Sequence, residues 1–99
     1  MRRPALACLL ILLAGCGGPS VEERENRKSF EFLLTAISLK NGQELEKDAK
    51  RIDERHASGK LSDLRHKEIC EIIQNARAGN WGEAERMAYE FRDSQPFFK

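Results

Sequence analysis

Polar and apolar positions divide this chain into two unequal regions. Residues 5–14 are apolar almost without interruption and follow Arg2 and Arg3. From residue 20 onward, apolar residues recur at helical spacing among charged ones, in four successive segments. The first spans about 20–40. Its opening part, Glu22 to Lys28, is polar; then Phe30, Leu33, Leu34 and Ile37 share one face, and Phe32, Ala36 and Leu39 a second face opposite. A helix apolar on nearly all sides is a buried one, so this segment is expected to be the central helix of a small bundle. Self-association through the second face is the other reading. The second segment, 43–57, has a narrow stripe of Leu45, Ala49, Ile52 and His56 at i, i+4, i+7 and i+11. The third opens at Ser62 and Asp63 and runs to about Arg77, with Leu64, Ile69, Ile72, Ile73 and Ala76 facing inward. The fourth, 81–94, presents Trp81, Ala84, Met87, Ala88 and Phe91.

Punctuation agrees with these periods. Ser20 with Glu23, Asn41 with Glu44, and Asn80 with Glu83 have the spacing of helix N-caps and their reciprocal acidic residues. Gly42 is expected to take the left-handed position that ends the first helix. Ser58-Gly59-Lys60 and Ala78-Gly79-Asn80 interrupt the later helices, and Pro96 stops the last. No segment alternates with period two, which predicts no strands. The expected fold is all-α: a small bundle of three to four helices over 20–99.

Length allows only one such domain. The chain has 99 residues, and a domain this small buries about 60% of the surface its unfolded chain exposes. It carries 17 basic and 16 acidic residues, interspersed in sign. That balance reads as solvated helix faces and leaves no basic patch for nucleic acid. The apolar run at 5–14 is too short to span a bilayer, which takes about 20 residues. Behind two arginines it has the form of a targeting segment, placing 1–15 outside the fold.

The run ends in Leu13-Ala14-Gly15-Cys16. Two arginines, an apolar stretch and small residues closing on a cysteine resemble the lipobox of bacterial lipoprotein precursors. The resemblance implies that Leu13, Ala14 and Gly15 are recognised for cleavage and that Cys16 becomes the first mature residue. Its thiol would carry a diacylglyceryl group and its new amine a further acyl chain. Residues 16–19 would then be a lipidated cysteine with a short tether, reaching about 10 Å beyond Cys16. The implied location is the bacterial cell envelope, with the membrane as partner through Cys16. Gly17, where an aspartate would signal retention at the inner membrane, favours the outer membrane in a host with two. Cys8 departs with the signal on this reading, leaving Cys70 as the single free thiol and no intrachain disulfide.

Two shorter resemblances lie in the body. Gly79, Trp81, Ala84 and Pro96 have the spacing of the second helix of a tetratricopeptide repeat, although Ile72 stands where the repeat's first helix has a small residue. The helix–Gly59-Lys60-Leu61-Ser62–helix over 50–73 is similar to the helical hairpin of SHOCT segments. Both imply helical pairs used for protein–protein contact.

Candidate chemistry is sparse. His56, His66 and Cys70 are the soft ligands of the body, and His66 and Cys70 lie four apart on one helix face. A closed zinc site takes four ligands, so the three support an alternative reading as a metal- or thiol-dependent domain while the primary reading assigns no metal, no cofactor and no enzymatic activity. Gly42, Gly59 and Gly79 are single glycines at helix ends, without the pattern of a phosphate loop or nucleophile elbow. The expected contact residues are Phe32, Ala36, Leu39, Phe97 and Phe98, facing an envelope protein or a second copy of the chain.

Overall fold

The computed structural model describes residues 20–95, which form four helices: α1 (Val21–Ser38), α2 (Gly42–Ala57), α3 (Asp63–Arg77) and α4 (Trp81–Ser94). No strand occurs among the described residues. The signal segment, Leu13 to Cys16, the tether, Pro96, Phe97 and Phe98 lie outside them.

Three of the four helices start on a side-chain cap. The Ser20 hydroxyl accepts from the Glu23 amide at 3.1 Å, the Asn41 carbonyl from Glu44 at 3.1 Å, and the Ser62 hydroxyl from Arg65 at 3.2 Å. Each satisfies one of the amides that a helix start leaves unpaired. Asn80 departs from expectation and makes no side-chain cap. Its ψ of 61° lies well short of the extended values at Ser20 and Ser62, which aim the side chain back at the helix.

The three connections are built alike. Asn41, Lys60 and Asn80 donate their amides to the carbonyls of Ala36, Arg55 and Asn75, each 2.9 Å away and five residues back. The preceding residues, Lys40, Gly59 and Gly79, donate to Ile37, His56 and Ala76 at 3.0 Å. This is the Schellman arrangement, and its penultimate position needs positive φ. Gly59 at 75° and Gly79 at 86° take it without strain, whereas Lys40 takes it at 54° in the first connection. Gly42, expected there, is instead the first residue of α2.

The helices close a ring. α1 packs on α2 and α4, and α3 packs on the same two helices from the other side. The core consists of Phe30, Leu33, Leu34, Ala36 and Ile37 of α1, with Leu45, Ala49 and Ile52 of α2. Leu61 of the α2–α3 turn, Ile69, Ile72, Ile73 and Ala76 of α3, and Ala84, Ala88 and Phe91 of α4 complete it. The rings of Phe30 and Phe91 meet with centroids 4.9 Å apart and tilted by 42°, a favourable aromatic geometry. Trp81 and Met87 are half-buried against this core.

Three inward assignments change. α1 is a corner of the ring rather than its centre, so part of its surface stays open: Phe32 and Leu39 are exposed at 49% and 71%. Ala36, placed with them by sequence, is buried, because α1 turns a broad face to two neighbours at once. Leu64 is 68% exposed, since it is rotated off the 69/72/73/76 stripe, and Leu61 in the preceding turn enters the core instead.

The polar opening of α1 docks on the α2–α3 hairpin. Buried Asn26 donates to the Lys60 carbonyl at 2.9 Å and accepts from Arg55 Nε at 2.6 Å. The Arg55 guanidinium also reaches Glu22 Oε1 at 2.8 Å, and Arg65 reaches Glu23 at 3.2 Å. Where apolar packing runs out, hydrogen bonds fix the pose of α1 on the hairpin.

Candidate functional site

The α2–α3 hairpin gathers the chemistry-bearing residues of the domain. The turn at Gly59 folds α3 back along α2, bringing the last turns of one helix beside the first turns of the other. His56 Nε2 lies 2.7 Å from Asp63 Oδ1, and His66 Nε2 lies 2.8 Å from Asp53 Oδ1. Each helix thus supplies a histidine to the other's aspartate. The two imidazoles stack with centroids 3.8 Å apart and planes within 5°. Cys70, one helical turn beyond His66, places Sγ 3.4 Å from His66 Nε2.

Electrostatics hold the thiol in its neutral form. Burial raises the Cys70 pKa above the ordinary thiol value, and the negative charge of Asp53 adds to the effect; Arg77 opposes both. A thiol displaced in that direction offers little thiolate at neutral pH and is poorly set for nucleophilic catalysis.

Of the residues singled out by sequence, His66 lies against both His56 and Cys70, while His56 Nε2 turns to Asp63 and is not among the donor atoms that converge; Asp53 takes that place. Sequence reasoning missed Asp53 and Asp63. The signal for them was present as two Asp-x-x-His tetrads, Asp53 to His56 and Asp63 to His66. The pairing nevertheless runs across the hairpin rather than within each tetrad, and only the turn reveals it.

α2 also carries a buried acid. Asp48 is fully buried; its Oδ1 accepts from Arg51 Nη1 at 3.1 Å, while Oδ2 accepts no hydrogen bond. Burial pushes its pKa from 3.8 to about 6, and the neighbouring Glu44 carboxyl pushes the same way against the pull of Arg51. Protonated, Oδ2 becomes a donor facing Glu44, which relieves the unpaired atom.

No protein-family model, curated protein or solved structure matches the chain. Among the expected contact residues, Phe32 and Leu39 stand on the open side of α1, and the Arg51 guanidinium lies over the Phe32 ring at 5.4 Å. Ala36 is in the core. A cleft of about 280 Å³ between α3 and α4 is lined by Glu68, Glu71 and Glu90 together with Ile72, Met87 and Phe91. No helix among the described residues is long and apolar enough to cross a membrane.

Proposed function

We propose that this chain is a small lipoprotein of the bacterial cell envelope, held to a membrane through acylated Cys16 and acting as a non-enzymatic interaction or structural module. The location rests on Leu13-Ala14-Gly15-Cys16 behind a short apolar run and two arginines. The mode of action rests on one structural observation: α1 and the residue that caps its C-terminus leave Phe32 and Leu39 in solvent beside the packed core. Large apolar side chains in solvent, on a helix whose other face is fully packed, suit contact with a second helix surface. With Gly17 after the cysteine, the outer membrane is the favoured address in a two-membrane host.

The double variant Phe32→Asp/Leu39→Asp tests the contact surface. It is expected to keep the parent's helical circular dichroism, because neither side chain is buried. It is also expected to lose self-association in sedimentation, or the partner that co-purifies with the parent from detergent-solubilised membranes. A variant that sediments and co-purifies as the parent does contradicts this role for α1.

A further inference from the structure

Asp53 Oδ1, His66 Nε2 and Cys70 Sγ converge so closely that all three donor atoms lie within 4.8 Å of one another. From this convergence we infer a binding site for a divalent transition metal, zinc by donor type, on the α2–α3 hairpin. The inference goes beyond the membrane-anchored contact role and is independent of it.

The nitrogen–sulfur edge fits a single ion as it stands, and the Asp53 oxygen, within 4.8 Å of Cys70 Sγ, completes the set once its carboxylate turns toward an oxygen–sulfur edge of about 3.6 Å. A tetrahedral zinc with bonds of about 2.05 Å to nitrogen and about 2.3 Å to sulfur separates those two donors by about 3.6 Å. Cys70 Sγ and His66 Nε2 are 3.4 Å apart. The Asp53 oxygen, 2.8 Å from the same nitrogen, must withdraw by about 0.6 Å to reach the corresponding oxygen–nitrogen edge. Asp53 is exposed, so its carboxylate can make that move without disturbing the core. His66 and Cys70 sit at i and i+4 on one helix, the spacing that presents two ligands on one face. Asp53 arrives from the other helix, so the ion clamps the hairpin. Mixed oxygen, nitrogen and sulfur donors match zinc better than magnesium or calcium, which take oxygen. Three protein ligands leave the fourth position to water, as in open zinc sites.

His56 is a positioning residue in this arrangement. Its ring lies flat on that of His66 at 3.8 Å, and Asp63 holds it there. The stack fixes the plane of the His66 ring and so the direction in which Nε2 points. On binding, the Nε2 proton that the Asp53 carboxylate accepts in the free hairpin is exchanged through solvent for one on Nδ1, and the lone pair so freed on Nε2 forms the metal–nitrogen bond. The Asp53 carboxylate gives one oxygen. The Cys70 thiol gives its proton to solvent and bonds as thiolate, so each ion bound releases one proton from Cys70.

Cobalt(II) titration of the full chain in detergent tests the site, with Cys8 and Cys16 replaced by serine so that Cys70 is the only thiol. The result is therefore blind to whether Cys16 is acylated. One equivalent of cobalt is expected to give a near-ultraviolet thiolate-to-metal charge-transfer band and visible d–d bands of tetrahedral intensity, both reversed by zinc. Cys70→Ser is expected to abolish the charge-transfer band. Asp53→Asn, on an exposed side chain, should retain the parent's circular dichroism and weaken binding at least about tenfold. His56→Ala should reach the same band at saturation with a dissociation constant about tenfold higher. Absence of the band in the parent, or its persistence in Cys70→Ser, overturns the site, and undiminished affinity in Asp53→Asn removes Asp53 from it.

Discussion

Leu33→Asp is expected to unfold the domain outright. Leu33 has no solvent exposure and lies on the inward face of α1 among Phe30, Leu34 and Ile37. Deleting a buried leucine costs about 2–5 kcal/mol. A carboxylate left there without a partner costs several more, or must bind a proton to avoid it. Domains owe their stability to about 0.05–0.15 kcal/mol per residue, so a bundle this small cannot absorb the sum. Phe32, the preceding residue, faces outward, and Phe32→Asp is expected to leave a folded, helical chain. It forfeits the exposed contact with Arg51, worth about 0.5–1 kcal/mol. Urea titrations followed by circular dichroism separate the two outcomes. Equal unfolding by both substitutions would mean that α1 is enclosed on all sides, and the contact face would not exist.

Asp48 makes stability fall as pH rises through the weakly acid range. Its folded pKa of about 6 stands above the ordinary 3.8. Between those values the native state binds more protons than the unfolded chain, so the slope of stability against pH is negative there. The contribution is fully present below about pH 4 and is lost by about pH 6, an effect on the order of 2–3 kcal/mol. Asp48→Asn removes the titration while keeping the shape, and its amide can donate toward Glu44 as the protonated acid does. Urea midpoints for parent and variant at pH 4 and pH 7 are the check. The variant is expected to gain on the parent by that amount at pH 7. A difference between the two that does not change with pH would show that Asp48 is not buried as a titrating acid.

Local chemistry was legible in the sequence, and long-range chemistry was not. Ser20, Asn41 and Ser62 are helix starts because a short polar side chain can reach its own helix, a contact that needs no tertiary partner. The isoleucines of α3 and the alanines of α4 follow from period alone. Lys40 in a left-handed position contradicts residue preference, and the hydrogen bonds of the connection to Ala36 and Ile37 accompany it. Leu61 replaces Leu64 in the core because a turn residue can reach where the helix stripe does not. Asp48 shares a buried face with Leu45 and Ile52, yet among so many charges its burial leaves no mark in composition. The histidine–aspartate exchange was hidden for a related reason. Each residue looks like part of a solvated face until the hairpin closes and sets the two helices side by side.

Acylation of Cys16 is the most direct test of the central claim. The full chain and its Cys16→Ser variant would be expressed in a bacterial host fed a labelled fatty acid, and the membrane fraction examined by mass spectrometry after high-salt washing. The parent is expected to carry the label, to begin at Cys16 and to remain with the membrane. Cys16→Ser is expected to take up no label and to accumulate as an uncut or released chain. An unlabelled parent, or a variant that keeps both the label and the parent's mass, would contradict lipid anchoring at this residue.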